Sequence, residues 1–243
     1  MNLLLAIITA HADSRKLFIE VARNSWLQKC PVDYKFVYGC GGNREPEVDE
    51  LFFDCGDSYG KMVLKDKALF QWALERDYDF VFRCCDDTFV FPKRLLNSDL
   101  EEYDYAGHIM GKGPWGDGHM HGGCGIWFSR KTMTRLIEAP WYRHVGSYTT
   151  SGNTVISEAE VQLASEKEDG YIDDIWMGEV LQGQLPWGHK ERYQNGLYAA
   201  QGIKMHDDKR FVDLMTQSNQ DTNSVIGIHS HTIENLREMI YGL

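Results

Sequence analysis

A chain of 243 residues with 43% hydrophobic and 12% aromatic side chains can bury a large core, which excludes a globally disordered protein. Its formal net charge of −11, with no dense Lys/Arg run, argues against a protein that tracks a nucleic-acid backbone. An anionic ligand must therefore be held locally, by a metal ion, a few basic side chains or helix N-termini.

Residues 2–9 predict a first, central β-strand. The run Leu3-Leu4-Leu5-Ala6-Ile7-Ile8 has no basic flank, is short, and is followed at once by His11 and Asp13, unlike a signal peptide. No stretch approaches the roughly 20 apolar residues of a membrane span. Ser14 reads as the N-cap of a helix reaching Gln28, with Leu17, Val21 and Ala22 on its inner face. Tyr34 to Tyr38 alternates as a strand, and Leu51-Phe52-Phe53 forms a short one. From Lys61 to Glu75 a helical stripe is made by Met62, Ala68, Leu69, Trp72 and Ala73. Tyr78 to Arg83 is the next strand. This alternation predicts an α/β fold, a Rossmann-like, mostly parallel twisted sheet flanked by helices, with its ligand beyond the carboxyl ends of the strands.

The second half is less regular. Gly111 to Gly125 holds seven glycines and reads as a loop. Gly125 to Phe128 returns as a strand, and Ser129 caps a helix from Arg130 to Glu138. Residues 146–170, rich in Ser, Thr, Gly, Asn and Glu, read as a mobile surface insertion. Asp173 and Asp174 open a helix, and Gly227 to His231 forms a strand before a short closing helix. Without an internal repeat or linker the chain reads as one domain, 1–243. The six cysteines (30, 40, 55, 84, 85 and 124) lack zinc-type spacing and read as mostly reduced core thiols.

Chemistry concentrates in three places. Asp86-Asp87 follows an apolar strand, where carboxylates need a cation or donors; it suits a hard divalent ion, although alone it also fits a polar turn. Asp173-Asp174 is a second acidic pair at a helix start, where it could also act as a simple cap. His229 and His231 lie two residues apart on a strand, so both imidazoles share one face, and one could complete the coordination of Mn²⁺. One carboxylate on a metal and another left free is the minimum for metal-assisted group transfer. Arg15 stands near the end of the first strand, while Arg23 and Trp26 read as packing or ion-pair residues. His119 and His121 lie in the Gly-rich loop, where substrate contact or plain exposure is the better reading.

In order, these segments resemble the inverting β-1,3-glycosyltransferases of the galactosyltransferase and fringe type, glycosyltransferase family 31, which have a GT-A fold. Arg15 with Ala22-Arg23-Asn24-Ser25-Trp26 is similar to the family's Arg followed by Ile-Arg-x-Thr-Trp. Asp57-Ser58-Tyr59-Gly60-Lys61-Met62-Val63-Leu64-Lys65, with Trp72 beyond it, resembles Asp-x-Tyr-x-Asn-Leu-Thr-Leu-Lys…Trp. Arg83-Cys84-Cys85-Asp86-Asp87-Thr88-Phe89-Val90 falls on Lys-x-Asp-Asp-Asp-x-Phe-Val. Gly122 to Ser129 resembles the family's Gly-rich strand, Asp173 to Gly178 falls on Glu-Asp-Val-x-x-Gly, and Ile228-His229-Ser230-His231 echoes Phe/Leu-His-Ser-His. Here Cys85 replaces the first Asp of the acidic triplet and Arg83 replaces the preceding Lys. The family's membrane anchor is not matched, and the expectation is a cytoplasmic or otherwise soluble enzyme, of a kind a virus or microbe would encode.

The resemblance implies an inverting, Mn²⁺- or Mg²⁺-dependent transferase with a nucleotide-binding half (1–90) and an acceptor-binding, catalytic half (91–243), which uses a UDP-sugar and a glycan or glycoprotein acceptor; the net charge argues against a nucleic-acid partner. Asp87 would bind the metal, with His229 the first choice of helper and His231 the second. Asp86, Arg15, Arg83, Lys65, Thr9 and Gly123 would line the donor site. Asp174 would be the general base and Asp173 its capping neighbour, while Trp115, His121 and Trp176 would shape the acceptor side. Two other classes use the same residues: a metal-dependent hydrolase of nucleotide sugars or phosphoesters, and a non-catalytic glycan-binding module.

Overall fold

The computed structural model describes residues 1–40, 44–108, 120–139, 142–145, 160–163, 173–182, 197–199, 203–205 and 227–229. The chain runs β1 (Leu3–Ile8), α1 (Asp13–Arg23), β2 (Asp33–Tyr38), β3 (Glu50–Phe52), α2 (Met62–Glu75), β4 (Phe80–Cys85), β5 (Thr88–Val90) and α3 (Pro92–Leu96). It continues with β6 (Tyr105–Gly107), β7 (Ile126–Ser129), α4 (Arg130–Glu138), β8 (Tyr142–Val145) and β9 (Glu160–Leu163). Then follow α5 (Asp173–Gln182), β10 (Leu197–Ala199), β11 (Ile203–Met205) and β12 (Gly227–His229).

Seven strands form the main sheet in the order β10-β6-β7-β4-β1-β2-β3. Its pairings are parallel except where β7 runs antiparallel to β4 and β6. β1 is buried along its whole length, the signature of a strand covered on both faces. One face is packed by α2, α4 and α5 through Val63, Phe70, Leu136, Trp176 and Val180, against Leu4, Ala6, Ile8, Val81 and Phe128. The opposite face is packed by α1 and α3 through Ile19, Ala22 and Leu95, against Leu5, Ile7, Phe36, Phe82 and Trp127. The expected α/β architecture is therefore present, and the N-terminal apolar run is its central strand.

From β1 the chain builds outward through β2 and β3, then returns to the other flank of β1 as β4. That reversal opens a crevice beyond the carboxyl ends of β1 and β4, where open α/β sheets bind ligands. A second sheet, in the order β11-β12-β5, starts at this crevice, because β5 follows β4 after a two-residue turn at Asp86 and Asp87. β12 runs antiparallel to β5, with His229 opposite Thr88.

Several local expectations are corrected. Ala12 is the N-cap of α1, without a side-chain cap, and Ser14 lies inside the helix. Leu17 is exposed; Ile19 and Ala22, three residues apart, set the buried face instead. On α2 the buried residues are Val63, Lys65, Asp66, Leu69, Phe70 and Ala73, so two charged groups lie within the inward stripe and Met62 and Trp72 only border it. Within 146–170, Glu160–Leu163 forms β9 and pairs antiparallel with β8; the rest of that segment lies outside the described residues. None of the six cysteines forms a disulfide, yet only Cys84 and Cys124 are buried and Cys40 is exposed. The Ser129 cap holds, its hydroxyl accepting from the Thr132 amide. No helix among the described residues is long and apolar enough to cross a membrane.

Candidate active site

The carboxyl ends of β1 and β4 bring together Thr9, Arg15, Asp86 and Asp87. The Asp86 amide donates to the Ile8 carbonyl at 3.1 Å, which extends the β1–β4 pairing into the turn. Its carboxylate accepts from the Thr9 hydroxyl at 2.6 Å and from Arg15 at 2.9 Å. The same Arg15 nitrogen reaches Asp87 at 3.2 Å. Burial pushes the Asp86 carboxyl up to about 6, against the lowering pull of Arg15 and Thr9. Burial also opposes the Arg15 charge, but Asp86 and Asp87 outweigh it and hold that guanidinium above its ordinary value. Asp87 is the more open of the pair, its side chain 14% exposed against 2% for Asp86.

The second acidic pair opens α5. Asp173 is buried and ion-paired with Arg83 of β4, whereas Asp174 is half-buried and accepts from the Gly122 amide at 3.0 Å. Arg83 also pairs with Asp66 of α2, through two nitrogens at 3.1 and 3.3 Å. Burial opposes the Arg83 charge, yet Asp173 and Asp66 hold it well above its ordinary value. Asp66 is pushed up to about 7, because complete burial outweighs its share of the guanidinium.

The turn before β7 joins the two pairs. The Gly123 carbonyl accepts from the Thr88 hydroxyl, next to Asp87, while the neighbouring Gly122 amide holds Asp174. A Cβ on Gly122 would come within 2.6 Å of an Arg83 nitrogen and 3.4 Å of Asp173, so glycine is what lets the turn approach. Gly125 has φ +107°, and a Cβ there would lie 2.3 Å from the Phe82 ring. One turn thus holds both Asp174 and Thr88, the residue that follows Asp87.

Other expected residues fall elsewhere. Lys65 is buried on α2 and donates to the Thr9 carbonyl at 2.8 Å and to Asp57 at 2.6 Å. Arg83 likewise is committed to its two carboxylates rather than to a donor. Asp173 is an ion-pair residue of Arg83 at the start of α5. Trp176 is fully buried in the core, with the Lys67 ammonium 5.8 Å from its ring, so it offers no acceptor platform. His121 is half-buried, and its Nδ1 accepts from the Cys124 amide at 3.2 Å within the turn. Trp115, His119 and His231 lie outside the described residues, and the β12 register sets the His229 backbone opposite Thr88, the residue after Asp87.

Asp66 and Thr88 were missed from sequence. An aspartate three residues from Val63 and four from Phe70, inside an apolar stripe, was the available signal for the former. Away from the crevice, Glu47, Asp49 and Glu50 bring three carboxylates within 4.8 Å. These already have their cations: Arg23 pairs with all three and Arg44 with Glu50. Arg23 is thus the ion-pair residue the sequence indicated.

No protein-family model and no curated protein matches this sequence. Among solved structures, the galactosyltransferase LgtC in complex with donor and acceptor sugar analogues is similar over 96% of this chain and 88% of its own, at 11% identity and a TM-score of 0.46. An active-site mutant of LgtC is similar over 94% and 87%, at 10% identity and a TM-score of 0.47. A glycosyltransferase involved in the glycosylation of the major capsid of PBCV-1 is similar over 99% and 100%, at 12% identity and a TM-score of 0.43.

Proposed function

We propose that this chain is an inverting, divalent-metal-dependent glycosyltransferase of GT-A type that moves a sugar from a nucleotide-diphosphate donor, a UDP-sugar, to a glycan hydroxyl. The observation that carries this reading is the two adjacent contacts at the Gly122-Gly123 turn, where the Gly122 amide holds Asp174 and the Gly123 carbonyl holds Thr88, the residue after Asp87 at the crevice where the strand order reverses. One acidic pair is tied to a cation and open on one side. The other presents a half-buried carboxylate within the same structural unit.

The donor set suits a hard or borderline ion. Asp87 would supply oxygen ligands and a C-terminal histidine, His229 before His231, would supply nitrogen, a combination that fits Mn²⁺ or Mg²⁺. Such an ion, when bound, neutralises charge on the departing diphosphate. Arg15 adds a second positive charge beside Asp86 and Asp87, and Thr9 fixes the Asp86 carboxylate that contacts the donor. Asp174 takes the proton from the acceptor hydroxyl. That oxygen forms the new bond to the anomeric carbon while the bond from this carbon to the diphosphate oxygen breaks, and attack from the opposite face inverts configuration.

The test is a panel of nucleotide sugars with Mn²⁺, with and without glycan acceptors, followed by mass spectrometry of the products. Transfer that needs both acceptor and metal is expected, and Asp87→Ala should abolish it while weakening UDP binding in Mn²⁺. Acceptor-independent release of sugar would point to a hydrolase, and binding without turnover to a lectin. Unchanged UDP affinity of Asp87→Ala in Mn²⁺ would overturn the metal assignment.

A further inference from the structure

Arg83 lies at the centre of the buried charges yet touches neither the crevice nor the open face of Asp87. Its side chain is 1% exposed, with Asp66 at 0% and Asp173 at 5%. It stands on β4 and binds α2 through Asp66, α5 through Asp173, and leaves the Gly122 turn no room for a Cβ. Next to Asp66 on α2, Lys65 holds the Thr9 carbonyl at the end of β1, and the Thr9 hydroxyl holds Asp86. Successive residues of one helix therefore brace the two acidic pairs, Lys65 the first and Asp66, through Arg83, the second.

We infer that Arg83 is a positioning residue: by binding Asp66 and Asp173 together it fixes the first turn of α5 and thereby the aim of the Asp174 carboxylate. The catalytic side of this inference rests on reading Asp174 as the general base. A planar guanidinium can serve two carboxylates at fixed angles, whereas a lysine ammonium is a point charge on a flexible stem and cannot reproduce that bridge. Asp174 follows Asp173 in the same helical turn, so a shift of Asp173 rotates Asp174 with it.

The full chain carrying Arg83→Lys, and separately Gly122→Ala, tests this. Gly122→Ala presses on the same guanidinium without altering its charge. Hydrogen–deuterium exchange over the first turn of α5 should accelerate by about tenfold or more in each variant, while β1 keeps its protection. With a donor from the nucleotide-sugar panel, kcat should fall roughly 10–100-fold. The donor KM should stay within about twofold, since a positioning defect acts on the chemical step. Unchanged α5 exchange in a folded Arg83→Lys protein overturns the inference, as does equal acceleration of β1 and α5, which would make Arg83 a general stabiliser. Failure of both variants to fold has the same meaning. If the wild-type protein transfers no sugar, the glycosyltransferase reading fails, and the exchange data still decide whether Arg83 holds α5.

Discussion

Asp86-Asp87 and Asp173-Asp174 are the same dipeptide, each with an arginine beside it, but the two arginines live in different media. The Arg15 side chain is 39% exposed, whereas Arg83 is enclosed between β4, α2 and α5. A pair that water can screen contributes about 0–1 kcal/mol, so Arg15 is a counterion that an incoming cation or phosphate can displace. Removing one partner of an enclosed pair costs about 3–5 kcal/mol, because the other charge is left buried. The open pair is suited to ligands and the enclosed pair to architecture. Asp174, half-buried beside the enclosed pair and held by the Gly122 amide, is where the two meet.

The largest effect should separate Asp174 from its neighbour. Asp174→Asn keeps the shape and can still accept from Gly122, but it cannot take a proton. Turnover is expected to fall roughly 10²–10⁴-fold with folding, metal and UDP affinity intact. Asp173→Asn should instead lower thermal stability, because it takes a charge from Arg83. Near wild-type transfer by Asp174→Asn would erase the contrast and put the base elsewhere.

A smaller effect, readable without any substrate, tests how dry the enclosed end is. In the fold Asp66 titrates at about 7, against an ordinary 3.8. Between these values the folded chain holds a proton that the unfolded chain has released, so stability falls as pH rises through that window. One proton sets an upper limit of about 1.4 kcal/mol per pH unit. Asp66→Asn removes this term, so any loss of Tm relative to wild type should be greatest near pH 5 and shrink toward pH 8. A deficit that grows with pH would mean that Arg83 outweighs burial and keeps Asp66 charged throughout.

The same contrast explains what the sequence disclosed. β1 and β4 were legible because a strand covered on both faces is a continuous apolar run, and Asp86-Asp87 was legible because two carboxylates ending such a run need an explanation. Asp173 and Asp174 were legible as a helix start. The enclosed end was not. Strand alternation shows that Arg83 and Phe82 face opposite ways, but not that α2 and α5 wait over Arg83 with carboxylates. On α2, Lys65 and Asp66 interrupt the apolar stripe, and the stripe was accordingly drawn through Met62 and Trp72. Trp176 looked like a sugar platform because aromatic side chains serve both cores and carbohydrates, and only packing distinguishes the two.

The smallest effect is expected at Cys85, and it bears on which end of the comparison this residue belongs to. It shares a face of β4 with Arg83 and Val81, the face covered by α2, α4 and α5. Although Cys85 is only half-buried, desolvation raises its thiol well above the ordinary value against the lowering pull of Arg83, which disfavours the thiolate that a metal ligand requires. Cys85→Ser should therefore keep the Mn²⁺-supported rate within about twofold and show no altered preference between Mn²⁺ and Zn²⁺. Cys85→Asp adds a carboxylate to a region where Arg83 already serves two, so it should lower Tm more than the serine variant does. Metal-dependence curves for the two variants, measured alongside thermal melts, decide the matter. A loss of more than about tenfold in the serine variant, restored by Zn²⁺ in the wild type alone, would move Cys85 from the enclosed end to the ligand end as a soft donor.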